Sequence, residues 1–105
     1  MPAVLRAVEK TRWAEAKQLL GTLRAAQLRY KEEYVNRYAD SIDKLDVDYS
    51  PPKYFNITVA NNPGNVAQAD RNKVNDTFNL NYNRACIWID KEGAFTYRRV
   101  PEWLK

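Results

Sequence analysis

Few residues in this chain could do covalent or metal chemistry. Its 105 residues include no histidine and a single cysteine, Cys86. A Cys/His zinc site cannot be assembled from that set, nor can a Ser-His-Asp or Cys-His nucleophile. No disulfide can form within these residues. Cys86 stands between Ala85 and Ile87 and reads as a buried core thiol. The only serines are Ser41 and Ser50, and no glycine-rich phosphate loop is present. Asp40, Asp43, Asp46 and Asp48 crowd one segment, but it lacks the glycine and closing glutamate of a calcium loop. They read as solvated loop carboxylates. The triplets starting at Asn56 and Asn75 match a glycosylation pattern that arises often by chance. No cofactor or metal is expected, and the chain is not expected to be an enzyme.

Binding chemistry is better represented than catalysis. Three Trp, seven Tyr and three Phe are interleaved with basic residues, a combination that can stack on single-stranded nucleic acid. Tyr97, Arg98, Arg99 and Trp103, with Lys105 beside them, form the expected local basic-aromatic patch. Core packing and subunit interfaces are the plainer use of these aromatics. The net charge of +4 lies wholly in residues 1–38, which hold eight Lys/Arg and four Glu. Residues 39–105 carry nine charges of each sign. A basic helix can track nucleic acid or anionic lipid. Arg6, Glu9, Arg12 and Glu15 alternate in sign at i,i+3 spacing, however, and this reads as an ion-pair ladder along an exposed helix face.

These residues must be positioned by one long helix and a small sheet. Residues 3–38 contain no proline and one glycine, Gly21, among strong helix formers. Such a helix is roughly 50 Å long, against a radius of gyration of about 13 Å for a 100-residue domain. One part must therefore project. Ala16, Leu19, Leu20, Leu23, Ala26, Tyr30 and Tyr34 recur in steps of three and four, so residues 14–36 are expected to pack on the sheet. Carried backward, the stripe meets Arg12, Val8 and Leu5. Residues 3–13 are thus expected to project, with Val4, Leu5 and Val8 as a thin apolar edge and Trp13 at the boundary.

Residues 39–52 read as a connecting loop with one helical turn near Ile42, capped by Asp40 or Ser41. Strands are expected at 53–60, at 78–82 from the Phe78, Leu80, Tyr82 alternation, at 86–90 and at 94–99. Residues 66–76 read as a loop. Gly93 suits the positive φ of the last hairpin turn. Pro101 ends the last strand, and Trp103 and Leu104 are expected to fold back on the sheet or cover an edge. The fold class is α+β: one domain over 1–105, a long N-terminal helix packed on a three- to four-stranded antiparallel sheet. No apolar run approaches the ~20 residues needed to span a bilayer, so these residues are expected to be soluble.

This order resembles type IV pilins and the pseudopilins of type II secretion systems. The run from Ala14 to Gln27, AEAKQLLGTLRAAQ, is similar to the EAK-to-AQ segment on the exposed half of their first helix. Tyr30-Lys31-Glu32-Glu33-Tyr34, Leu45-Asp46-Val47, Lys53-Tyr54-Phe55 and the closing phrase from Ile87 to Phe95 look like further parts of the pattern. Two features depart from it. The basic leader, peptidase site and apolar stretch with its glutamate are not among these residues, and the cysteine pair of many major pilins is missing. Pro2 stands where a family proline often marks the helix leaving the membrane. The expectation is that the apolar half was cut away and that Met1 is an added start.

The resemblance implies a structural subunit. Its missing helix half would anchor it in the bacterial inner membrane and then pack in the core of a periplasmic or extracellular filament. Partners would be other pilin-like subunits, through a transition zone at Val4, Leu5, Val8, Arg12 and Trp13. The isolated domain would be monomeric. A DNA-binding minor pilin and a soluble interaction or chaperone-like module that offers its helix to a partner groove are the alternatives.

Overall fold

The computed structural model describes residues 3–34 and 36–105. Met1 and Pro2, on which the expected cut end rests, lie outside the described residues, as does Val35. The chain forms one helix, α1 (Ala3–Glu33), and four strands, β1 (Phe55–Val59), β2 (Ala67–Arg71), β3 (Cys86–Ile89) and β4 (Phe95–Arg98). Short 3-10 turns at Ile42–Lys44 and Glu102–Leu104 complete it. The architecture is α+β, with the helix on one face of a four-stranded antiparallel meander in the order β1-β2-β3-β4.

The helix is 31 residues long and stops before the expected Tyr38. Asn36, in the left-handed region at φ 62, donates its backbone N–H to the Lys31 carbonyl. Asparagine tolerates that conformation, so the chain turns away there. The rod sets the molecule's shape, whose extents are 49 × 23 × 20 Å.

Strand register decides which residues meet the helix. Phe55, Ile57 and Val59 of β1 pair with Arg71, Ala69 and Ala67 of β2. Ile87 and Ile89 of β3 then pair with Tyr97 and Phe95 of β4. Because side chains alternate, all of these share the inner face. The two alanines of β2 lie under the helix and leave room for Leu20 and Leu23, both fully buried. Trp13 packs edge-to-face on Phe55, with ring centroids 5.0 Å apart.

The strand assignments shift in two places. The expected loop over 66–76 contains β2, an inner strand. Ala-Gln-Ala-Asp-Arg has poor sheet propensity, but β2 is hydrogen-bonded on both sides by β1 and β3, and that context overrides propensity. Conversely, the expected strand at 78–82 is a run of turns. The Asp76 carboxylate accepts the backbone N–H groups of Leu80 (2.7 Å) and Asn81 (2.8 Å). Asn75, Asn79 and Arg84 take positive φ. Asn/Asp side chains satisfying the backbone locally compete with a ladder. Leu80 is buried, whereas Tyr82 points to solvent.

Other expectations hold. Ser41 caps the turn at Ile42–Lys44 by accepting the Asp43 N–H. Gly93 has φ 92 in the β3–β4 turn. Cys86 is a buried free thiol, its pKa pushed up by burial and by the nearby Asp70. At the C-terminus, the Glu102–Leu104 turn packs beside α1. Leu104 is buried, and Trp103 meets Phe78 at 4.8 Å.

One buried polar side chain fixes the C-terminal half of the helix. The Gln27 side-chain amide donates to the carbonyls of Ala39 (2.9 Å) and Val66 (3.0 Å), and its oxygen accepts the Ala39 N–H (2.7 Å). Gln27→Leu leaves both Ala39 backbone groups unpaired and the Val66 carbonyl with only the long contact from the Ala60 N–H (3.5 Å), and should cost about 2–3 kcal/mol in denaturant unfolding. Gly21 is the opposite case: a methyl group added there meets nothing within 4 Å. Gly21→Ala should therefore stabilise the chain by about 0.5–1 kcal/mol, read as a higher thermal midpoint.

Candidate functional site

The N-terminal half of α1 is held by a buried carboxylate. Glu9 is 2% exposed and Arg71, across the fold, 1%. Arg71 forks onto it, with Nε donating to Oε2 at 2.8 Å and Nη2 to Oε1 at 3.1 Å. Trp13 Nε1 donates to Oε2 at 2.9 Å, and Arg12 Nη1 to Oε1 at 3.1 Å. Each oxygen thus takes two donors. The rest of the Arg71 guanidinium donates to the carbonyls of Asn72 and Val74 (both 2.8 Å) and Asn75 (3.2 Å). Arg12 also lies 4.0 Å over the Tyr54 ring.

Burial alone would raise the Glu9 pKa. The hydrogen bonds and charge of Arg71, then the bonds from Trp13 and Arg12, outweigh it and hold the carboxyl below its ordinary 4.5. A carboxylate so saturated is a tether and is poorly placed to take a proton from a substrate. It ties α1 to the end of β2 and to the 72–75 loop.

The clamp moves the boundary of the projecting segment. Residues 3–13 were expected to stand free, but Glu9 and Trp13 are buried, so only about Ala3–Val8 remain beyond the clamp. Among the five expected interface residues, Trp13 is core and Arg12 belongs to the clamp. Leu5 is half-buried, while Val4 is 68% and Val8 43% exposed. The expected exposed ladder loses Glu9 to the interior, which leaves Arg6 on the Trp103 ring at 5.0 Å.

The expected basic-aromatic patch is not gathered. Tyr97 lies on the inner face, with Lys17 5.1 Å from its ring centroid, whereas Arg98 pairs with Cys86 on the outer face. Arg99 follows at φ 57, and Trp103 sits at the helix side under Arg6. On the outer face, Arg84, Arg98, Asp70, Gln68 and Asn81 line an open pocket of about 300 Å³.

The acidic segment is spoken for in part. Arg29 forks onto Asp46, with contacts down to 2.8 Å, and Lys44 meets Asp40 at 2.8 Å. Those hydrogen bonds hold both carboxyls below the ordinary range. Among the described residues no acidic, cysteine or histidine cluster could hold a metal ion, and no helix is long and apolar enough to cross a membrane. No family model, curated protein or solved structure matches this chain.

The clamp should be visible in both mutation and pH. Arg71→Met strands a buried carboxylate and should cost about 3–5 kcal/mol. Glu9→Gln turns an NH2 group toward two of the four donors and leaves the buried Arg71 guanidinium without its counter-charge, so it should cost a similar amount. A native pKa held below the unfolded one stabilises above the unfolded value and loses that contribution as pH falls through the native value. The stability gap between the native chain and Glu9→Gln should thus be full above about pH 5 and shrink on acidification. Urea melts across pH 2–7 check it; a gap independent of pH would contradict the assignment.

Proposed function

We propose that this chain is the globular part of a pilin-like structural subunit, with no catalytic role. In this reading it polymerises through its N-terminal helix into a type IV pilus or type II secretion pseudopilus. It would sit in the bacterial inner membrane before assembly and in a periplasmic or extracellular filament afterwards, with other pilin-like subunits as partners. The observation that carries this is the uncovered apolar side of a clamped helix's N-terminal end. Val4 and Val8 are exposed beyond the last contacts that hold α1 to the sheet. Loops or termini commonly fray; here a regular helix continues past the clamp, with Arg6 over Trp103 on one side and an exposed apolar edge on the other. Such an edge suits helical neighbours in an open, head-to-tail array, whose contacts generate fibres and not closed rings.

Three parts of this reading can be tested. The isolated domain should be monomeric by light scattering at micromolar concentration. Val4→Asp/Val8→Asp should change unfolding free energy by less than about 0.5 kcal/mol, because both side chains already face water. In the native organism the same double variant should be lost from sheared surface or periplasmic filaments while remaining in the cell membrane. A tight closed dimer of the domain, or absence of the native chain from any filament fraction, would overturn the reading.

A further inference from the structure

The helix carries a second ordered feature, on the flank opposite its exposed valines. Arg6, Lys10, Lys17, Arg24 and Lys31 follow one another in steps of four, seven, seven and seven. At 100° per residue these positions fall within an arc of about 60°, and the row runs about 37 Å along the axis. No helix acid lies in that arc. None of the five forms an ion pair among the described residues.

The domain seats four of these cations individually. Arg6 lies over the Trp103 ring (5.0 Å), Lys17 over Tyr97 (5.1 Å) and Lys31 over Tyr38 (5.4 Å). Arg24 Nε donates to the Lys91 carbonyl at 2.9 Å. Lys105, itself paired with Glu102, lies 5.9 Å from the Tyr97 centroid and adds to the positive field. The rings and the carbonyl order the cations without neutralising them.

From this geometry we infer that the flank of α1 beside β4 binds the phosphate backbone of double-stranded nucleic acid. Three observations choose this occupant. The exposed large apolar side chains of the helix, Val4, Val8 and Tyr34, all fall outside the row's arc. A protein partner would meet a lysine-rich strip without the apolar centre that interface cores favour. The Trp103 and Tyr97 rings are covered by cations, so they offer no free platform for single-stranded bases. A duplex presents one charge per about 1.7 Å of axis, or about twenty along this row, a denser match than a mixed bilayer. The contact would be independent of sequence, since no side chain here is placed to read base edges.

Duplex binding by the monomer needs no assembly, so this inference stands or falls apart from the filament reading. The test is fluorescence anisotropy of a labelled duplex of about 24 base pairs, titrated with the chain from about 20 to 200 mM salt. Binding should be clear at the lowest salt. The log–log salt slope should be about −4.5, for about five phosphate contacts. Lys10→Gln/Lys17→Gln should make that slope shallower by about two and weaken binding at least tenfold at low salt. Arg37→Gln/Lys73→Gln removes the same charge off the row and should change the slope by less than about 0.5. Circular dichroism of both doubles should match the native chain. No duplex binding at the lowest salt would overturn the inference. So would equal weakening by both doubles, which would mean net charge alone, or capture by phosphatidylserine vesicles without duplex binding, which would mean an anionic bilayer.

Discussion

The structure depends on a carboxylate that has no water to turn to. Glu9 and Arg71 lie 62 positions apart, and each is almost completely buried. Removing two charges from water costs several kcal/mol per ion, and attraction between them recovers this only with good geometry and complete hydrogen bonding. Both conditions are met: the pair is bidentate, and Trp13, Arg12 and three loop carbonyls take up the remaining donors and acceptors. An apolar contact would tolerate small slips of helix over sheet. A fork onto a carboxylate accepts one register, so the pair fixes both the height of α1 and its rotation about its own axis.

Gln27 repeats this logic 18 residues later. Eighteen residues are five turns, about 27 Å, so both polar anchors lie on one face of the helix. Between them that face is apolar: Trp13, Ala16, Leu20 and Leu23 are all buried. Each anchor reaches a segment without regular structure, Glu9 through Arg71 to 72–75 and Gln27 to Ala39 and Val66. The helix thereby satisfies loop carbonyls that the four-stranded sheet leaves over, and the alanines of β2 let it come close enough to do so.

Much of this was legible in the sequence, and the failures have a common cause. The helix, the loop turn at Ser41, β1, β3, β4 and the Gly93 turn follow from propensity, capping and apolar pattern. Apolar pattern alone places the helix face one step off line. Running the stripe back from Ala16 to the apolar Val8 and Leu5 passes through Arg12 and misses the true line, Trp13 to Glu9. A rule that seeks apolar residues discards a buried glutamate, and the same rule passes over Arg71 and Gln27. β2 was lost for the same reason: its inner residues are two small alanines and an arginine. Asn79 and Asn81 mimic the wet side of a strand, while Asp76 quietly caps the turns instead. The signal for the clamp was present as an Arg on the apolar phase of a period-two run, matched by a Glu on the apolar face of a helix. Such a match names a pair only once the topology is known.

Locking the rotation of α1 has a consequence for its surfaces. Val4 and Val8 lie roughly opposite the row of Arg6, Lys10, Lys17, Arg24 and Lys31 around the axis. If the apolar edge seats neighbouring helices, the cations are not covered by that contact and need not be neutralised by it. A helix free to turn would present the two surfaces interchangeably, and apolar contact would compete with charge. The clamp prevents this by spending buried polar groups on orientation. The same rigidity explains why five like charges persist along one flank: each sits on a ring, a carbonyl or open solvent, and the repulsion among them at about 10 Å spacing is largely screened at physiological salt. Bringing the row against a polyanion would convert that residual repulsion into attraction without moving the backbone.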